Sequence, residues 1–320
     1  MPLLLRVAMH PLAIIMDIAW LSKCAGQKRH AYAHGHSLMK HRVQTVCMAL
    51  CLAFTATAIA ADATGLNSAT GAPPVALITG ADRRLGFALT QELVARGWHV
   101  IATCRTPDRA MELKAFATAH PGVSIEKLDV ADNAAIDTLS ATLHGQPIDA
   151  LVNNAGIAGE LGARSPEAIS PQEFERVLRV NTYAPLRLAR VLLPNIAASG
   201  QKKIVSVSSG IGSLTKAPDY MQYAPAYFYA ISKAGLNMEM RMLATELKPR
   251  GVLVGLVTPG MVDTAMQAQY RSASVAVGTP ITAPMLTPAQ SARGVVDFII
   301  GLNAQKSGRL FGYTGVELPW

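Results

Sequence analysis

The chain has 320 residues, of which 50% are hydrophobic and 16% are charged, and its formal net charge is +8. This composition excludes an intrinsically disordered chain, because it provides enough apolar side chains for a large core. Residues 74–320 carry 23 Lys or Arg against 19 Asp or Glu, a net charge of only +4. Their arginines are scattered and are not interleaved with aromatic residues, which argues against nucleic-acid binding.

Residues 1–73 form a predicted targeting and linker segment. The basic cluster Met39–Arg42 precedes an uncharged run from Val43 to Ala61. This run ends in the small residues Ala58, Ala60 and Ala61. This order is typical of a secretory signal peptide over residues 39–61. The run is also barely long enough for a membrane anchor. We therefore expect export or membrane association, with a cytoplasmic location as the alternative.

A strand predicted over 75–79 opens the folded part of the chain and runs into a glycine-containing turn. An amphipathic helix follows, and Gly97 marks its C-terminal end. A strand, a turn and a helix in this order point free backbone N–H groups and the positive end of the helix dipole at an anion. The pattern predicts a phosphate-binding turn made of Gly80, Arg83, Arg84, Leu85 and Gly86.

Further apolar strands alternate with helices along the rest of the chain. They are predicted at 99–103, 124–128, 150–153, 203–207 and 253–258, with a short last strand near Leu310 and Phe311. Such alternation gives a parallel sheet covered on both faces. We expect a single α/β domain of the Rossmann type, with a doubly wound parallel sheet, over residues 74–320. The N-terminal segment before it is expected to be non-globular.

Tyr229 and Lys233 lie four residues apart, so they share one face of a predicted helix. The helix is nearly uncharged from Pro225 to Met238, which argues against a simple exposed face. An ammonium group beside a phenol favours the phenolate. We therefore expect the pKa of Tyr229 to be lowered towards neutrality, as a general acid or base requires.

The order of the motifs resembles that of the short-chain dehydrogenase/reductase family from about Val75 to Trp320. The motifs that match, in order, are Thr79-Gly80…Gly86, Asp129-Val130, Asn153-Asn154-Ala155-Gly156, Asn181, Ser209, Tyr229 with Lys233, and Pro259-Gly260-Met261-Val262-Asp263-Thr264. Within the family, 180–185, 259–266 and the ending 317–320 look most like C-factor and sniffer-type carbonyl reductases. This resemblance implies an NAD(P)-dependent oxidoreductase that transfers hydride between its cofactor and a carbonyl or alcohol.

The resemblance also implies roles for individual residues. Tyr229 is the expected general acid or base, and Ser209 the donor to the substrate oxygen, with Ser208 as the alternative serine. Lys233 is expected to lower the pKa of Tyr229 and to bind the nicotinamide ribose, and Asn181 to position a water that links Lys233 to solvent. The further cofactor contacts implied are Asp129, Val130, Asn153, Ala155, Gly156, Pro259, Gly260, Val262 and Thr264. A homodimer or homotetramer acting on a small molecule is implied, and no metal site is predicted.

Arginines near the cofactor turn predict a preference for NADP(H) over NAD(H). The strand 99–103 ends in Cys104 and Arg105, without the carboxylate that would bind a ribose 2′-hydroxyl. A guanidinium group pairs instead with a phosphate. We expect Arg83, Arg84 and Arg105 to converge on the 2′-phosphate of NADPH.

One departure from the family pattern leaves alternatives open. Arg84 occupies the place of the usual middle glycine, and it costs about 1–2 kcal/mol if the backbone there needs a positive φ. Arginine at this place is similar to the cofactor loop of pteridine reductases, so pteridine reduction is an alternative function. A catalytically silent regulatory protein that binds nucleotide is the second alternative.

Overall fold

The computed structural model describes residues 71–161 and 170–320, so the signal-like segment 39–61 lies outside the described residues. The described part contains seven strands in one parallel sheet, in the order β3-β2-β1-β4-β5-β6-β7. The strands are β1 Val75–Thr79, β2 His99–Cys104, β3 Val123–Lys127, β4 Ala150–Asn153, β5 Lys203–Val207, β6 Leu253–Thr258 and β7 Leu310–Gly312. The predicted doubly wound α/β fold is confirmed.

Ten α-helices connect these strands in the described residues. They are α1 Arg84–Ala95, α2 Met111–Ala119, α3 Asn133–Thr142, α4 Pro171–Leu178, α5 Ala184–Val191, α6 Leu193–Ala197, α7 Ala217–Met221, α8 Tyr227–Leu247, α9 Ala265–Ala276 and α10 Pro288–Ile300. Single 3₁₀ turns occur at Pro107–Arg109, Gly210–Gly212 and Lys248–Arg250. None of these described helices is both long and apolar enough to cross a bilayer.

Both faces of the sheet are covered, because successive side chains of a strand point to opposite faces. In β1, Ala76 and Ile78 join a core with helices α1, α2 and α10, whereas Leu77 joins a second core with α3, α5 and α8. All three β1 side chains are fully buried. Burial of a leucine side chain contributes about 1.5–3 kcal/mol, so these two cores supply much of the stability.

The sheet positions a cleft at the carboxyl ends of its strands. The chain leaves β1 for β2 on one side, whereas β4 pairs with β1 on the other side. The direction of winding therefore changes between β1 and β4, and a crevice opens where the connections diverge. The loops after β1, β2, β4, β5 and β6 meet there.

Candidate active site

The turn between β1 and α1 is too tight for side chains at its two glycines. Gly80 has a φ of +66°, which favours glycine. A Cβ atom on Gly86 would lie 2.0 Å from the carbonyl oxygen of Gly80, so the turn is closed on itself. Arg83 precedes α1 without a side-chain hydrogen bond to it, and the first turn of α1 has no acidic residue. The N–H groups of this helix end therefore remain available to an anion.

Arg84 has a φ of +49°, and its side chain lines the cleft. The backbone at Arg84 therefore has the positive φ that is strained for any residue other than glycine. Arg83, by contrast, has an extended backbone with a φ of −162°.

A hydrogen-bonded clasp holds the end of β1 against the end of β4. The hydroxyl of Thr79 accepts hydrogen bonds from the backbone N–H groups of Asn154, at 2.9 Å, and Ala155, at 3.0 Å. The side-chain amide of Asn154 donates to the carbonyl oxygens of Thr79, at 2.9 Å, and Gly80, at 3.2 Å. This clasp fixes the glycine turn relative to β4.

The cleft has a volume of about 780 Å³ and is lined by almost all the residues predicted to bind cofactor. The predicted residues that line it are Gly80, Arg83, Arg84, Leu85, Gly86, Arg105, Asp129, Val130, Ala155, Gly156, Tyr229, Lys233, Pro259, Gly260, Val262 and Thr264. Arg83, Arg84 and Arg105 lie on its β1–β2 side, and Arg83 is 3.7 Å from the carboxylate of Asp82. Ser209 lines the same cleft after β5.

Lys233 is almost fully buried beneath Tyr229. Its Nζ donates a hydrogen bond of 2.8 Å to the carbonyl oxygen of Val207 and lies 5.7 Å from the centre of the Tyr229 ring. Burial lowers the pKa of Lys233 to about 8, although Glu239 opposes the shift. The ammonium group therefore loses its proton more easily than an exposed lysine does.

The two adjacent serines point in different directions. The hydroxyl of Ser208 donates to the Oδ1 of Asn237 at 2.6 Å, and the amide of Asn237 donates in turn to the carbonyl oxygen of Gly212 at 3.0 Å. Ser208 is thereby engaged with α8. Ser209 instead lines the cleft, and its side chain is near enough to Tyr229 to lower the pKa of that phenol, against the larger effect of burial. This geometry favours Ser209 as the substrate-facing serine.

The chain is similar in sequence and in structure to known oxidoreductases. A model of the short chain dehydrogenase family matches residues 74–274. The chain belongs to this family. It is 35% identical to the C-signal of Myxococcus xanthus over 54% of this chain and 93% of the relative. The NADPH-bound carbonyl reductase from chicken fatty liver is a structural neighbour, with a TM-score of 0.69 and 30% identity over 78% of this chain and 100% of the neighbour. The carbonyl reductase Sniffer of Drosophila melanogaster has a TM-score of 0.67 and 28% identity at the same coverage.

In this short-chain dehydrogenase, Asn153 lies away from the cleft. Its side-chain amide donates to the hydroxyl of Ser206 at 3.2 Å, and its Oδ1 is buried without a hydrogen bond among the described residues. Successive strand residues point to opposite sides, so Asn154 reaches the turn instead. Asn154 is therefore the asparagine that contacts the glycine turn, and the cofactor contact expected of Asn153 stays a prediction.

The pKa of Tyr229 shifts in the direction opposite to the one expected from its spacing to Lys233. Burial raises it to about 12, and only the nearby Ser209 side chain acts to lower it. The Lys233 ammonium is directed at the Val207 carbonyl, and removal from water disfavours the charged phenolate. The phenol is therefore held in its protonated form.

Asn181 lies behind the cleft lining, in a π-helical turn over Arg179–Tyr183 that joins α4 to α5. Its Oδ1 accepts from the N–H of Ile157 at 2.9 Å, and its Nδ2 donates to the Ile157 carbonyl oxygen at 2.7 Å and to Ser232 at 2.9 Å. A Cβ atom on Gly156 would lie 3.3 Å from this Oδ1 and 3.8 Å from the Nζ of Lys233. Asn181 therefore anchors the loop after β4, and its role in a water relay stays a prediction.

Several further residues of the cleft were not foreseen as site residues. They are Asp82, Cys104, Asn154, Arg176 and Tyr270, together with apolar residues of the loops after β4 and β6. Arg176 is paired with Glu173, on the preceding turn of α4, at 2.6 Å. The two adjacent asparagines stand out in the sequence, but the sequence alone does not determine which of the two amides faces the glycine turn.

Proposed function

We propose that this short-chain dehydrogenase is an NADPH-dependent carbonyl reductase that transfers hydride between NADP(H) and a carbonyl or alcohol substrate. The observation that carries the proposal is that Ser209, Tyr229 and Lys233 meet in one cleft whose β1–β2 side presents three arginines. The chicken enzyme, a neighbour described as NADPH-bound, adds support.

The residues of the cleft fit a nicotinamide dinucleotide. The closed turn at Gly80 and Gly86 leaves backbone N–H groups at the start of α1 without a side-chain cap, as a pyrophosphate requires. Arg83, Arg84 and Arg105 supply cationic donors for a phosphate on the ribose. Lys233 would bind the nicotinamide ribose beside Tyr229.

The chemistry of the chain's own residues follows from their protonation states. NADPH supplies the hydride when it is bound. Ser209 and Tyr229 would hold the substrate oxygen by hydrogen bonds, which strengthen as negative charge develops on that oxygen. With a pKa of about 12, Tyr229 is protonated at neutral pH and is ready to give its proton to the oxygen. Lys233, with a pKa of about 8, is mostly charged at neutral pH and stabilises the phenolate that remains.

A spectrophotometric screen of NADPH oxidation over aldehydes, ketones, quinones and pterins tests the proposal. We expect turnover of aldehydes or ketones, and loss of kcat well beyond about 10²-fold in Tyr229→Phe, because the ring remains but the transferable proton is gone. NADPH binding should persist in that variant. Tyr227→Phe, an exposed tyrosine on the same helix, is the matched control. Near-normal turnover by Tyr229→Phe would show that another group is the acid. Binding of NADPH without turnover of any substrate class would favour a silent regulatory protein.

A further inference from the structure

Tyr220 brings a second phenol into the cleft beside the proposed catalytic serine. It lies in α7, on the segment that follows β5 and the Gly210–Gly212 turn, and it lines the cleft. A Cβ atom on Gly210 would lie 2.3 Å from the Tyr220 hydroxyl oxygen and 2.7 Å from Cζ of its ring. The hydroxyl group of Tyr220 therefore packs against the backbone of the residue next to Ser209.

Hydrogen bonds from two residues, Tyr270 and Thr279, hold the segment that carries Tyr220. The hydroxyl of Tyr270, in α9, donates to the carbonyl oxygen of Tyr220 at 2.6 Å. Burial raises the pKa of Tyr270 to about 12, so this donor keeps its proton over the range of pH in which enzymes work. The hydroxyl of Thr279 bonds the carbonyl oxygens of the neighbouring residues 222 and 223, at 2.9 and 3.0 Å.

A hydrogen bond at Thr215 also holds this segment on the N-terminal side of Tyr220. The backbone N–H of Thr215 donates to the main-chain oxygen of Trp320 at 2.8 Å, and the guanidinium of Arg241 lies 4.9 Å from the centre of the Trp320 ring. Because the backbone is held on both sides, the position of the Tyr220 ring is set before any substrate arrives. A preorganised donor contributes more to binding than a mobile one.

The hydroxyl group of Tyr220 itself makes no hydrogen bond within the described residues. It is an O–H donor on a residue that lines the cleft, and it packs against Gly210, the neighbour of Ser209 in the chain. A substrate held by Ser209 and Tyr229 through its reacting oxygen can reach this donor only with an atom a few bonds away. A hydrogen-bond acceptor there would satisfy the phenol.

We propose that Tyr220 is a substrate-positioning residue that donates a hydrogen bond to a second oxygen of the substrate. This inference rests on the proposed carbonyl reduction. It assigns as preferred substrates carbonyl compounds that carry another acceptor oxygen close to the reacting carbonyl, as 1,2-dicarbonyl compounds and 2-oxo esters do. Simple ketones lack the acceptor and leave the Tyr220 donor unpaired.

Two ketones with the same skeleton test this assignment in the full-length protein. 1-Phenylpropane-1,2-dione carries the second oxygen, and 1-phenylpropan-1-one does not. We expect Tyr220→Phe to lower kcat/KM for the dione about 10-fold, equivalent to about 1.4 kcal/mol, and to change kcat/KM for the monoketone by less than about 2-fold. Tyr223→Phe, on the same segment but outside the cleft, should leave both values unchanged.

The outcomes separate this inference from the function on which it rests. Three outcomes would overturn the role of Tyr220 while leaving carbonyl reduction in place. In Tyr220→Phe, kcat/KM could fall equally for both ketones, or it could be unchanged for the dione. In the third outcome, the wild-type protein reduces the monoketone but not the dione. A wild-type protein that reduces no carbonyl compound at all would remove the proposed function and this inference with it.

Gly210 offers a second test that needs only the dione. A methyl group at Gly210 must displace the Tyr220 ring, so Gly210→Ala should lower kcat/KM for the dione as Tyr220→Ala does. In the double variant the methyl group has no ring to displace, and the two losses should therefore not add. Additive losses would show that Gly210 acts independently of Tyr220. Thermal unfolding of each variant verifies that it is folded.

Discussion

Arg84 allows the strain of a backbone to be separated from the charge of its side chain. Its φ of +49° places a Cβ atom in the left-handed region that favours glycine, at a cost of about 1–2 kcal/mol. Glycine recovers this cost but adds about 0.4–1 kcal/mol of backbone entropy to the unfolded state. We expect Arg84→Gly to raise the free energy of unfolding by about 1 kcal/mol in the absence of cofactor.

The same substitution removes a guanidinium group from the cleft, so cofactor affinity should move in the opposite direction. Loss of one charge-assisted hydrogen bond should weaken NADPH binding about 10-fold. Arg84→Ala removes the charge but keeps the positive φ, and it should lose affinity without gaining stability. Arg83→Gly is the matched control, because the extended backbone at Arg83 has no strain to relieve.

Thermal unfolding and NADPH titration of these variants measure the two effects. For a domain of this size, 1 kcal/mol corresponds to a shift in Tm of about 2–4 °C. Arg84→Gly should therefore melt about 2–4 °C above Arg84→Ala. Equal melting temperatures for the glycine and alanine variants would refute the assignment of strain to residue 84.

Three further predictions concern the cofactor, the N-terminal segment and pH. The unmodified enzyme should prefer NADPH over NADH by at least about 10-fold in kcat/KM, and Arg105→Asp should narrow or reverse that ratio; equal use of both cofactors by the wild type would contradict it. Expressed from Met39 with a C-terminal tag, the protein should leave the cytoplasm and begin near Ala61 or Asp62, and N-terminal sequencing that finds an intact cytoplasmic chain would exclude a cleaved signal. Lys203 is buried, donates to the Ile300 carbonyl oxygen at 2.7 Å, and has its pKa lowered to about 8. The unfolded chain therefore binds the proton more tightly between pH 8 and 10.5, so this residue makes the free energy of unfolding rise through that window. Denaturant titrations should show a rise smaller by about 1–2 kcal/mol between pH 8 and 10 in Lys203→Met, and identical slopes in both proteins would contradict the shift.

Local patterns predicted the features that depend on a few neighbouring residues. The turn from Gly80 to Gly86 follows from strand, glycine and helix signals that are contiguous in the chain. Tyr229 and Lys233 share a helix face because of their spacing alone. The alternation of mostly apolar strands with helices likewise predicted the parallel sheet.

Features that depend on tertiary surroundings were not predictable from spacing. The pKa of Tyr229 is raised because the phenol is packed into the wall of the cleft, where its charged form is poorly solvated, and only the packed structure reveals this. The choice between Asn153 and Asn154, and between Ser208 and Ser209, depends on which way one residue turns at the end of a strand. Tyr220 reaches Gly210, next to Ser209 in the chain, only through the tertiary fold of the segment after β5.

Deleting a residue from the π-helical turn at Arg179–Tyr183 would change the orientation of its neighbours about the helix axis, which no substitution there does. Such a turn holds one residue more than an α-helix would over the same rise, and each α-helical residue rotates the chain by about 100°. Deleting one residue would let α4 run into α5 as a regular helix, with α5 still packed on the sheet, and would rotate the preceding residues about the axis. The Asn181 amide and the Ile157 backbone would then face different directions, although every side chain involved was retained. The spacing within this one turn is therefore as much a determinant of the site as the identity of the asparagine.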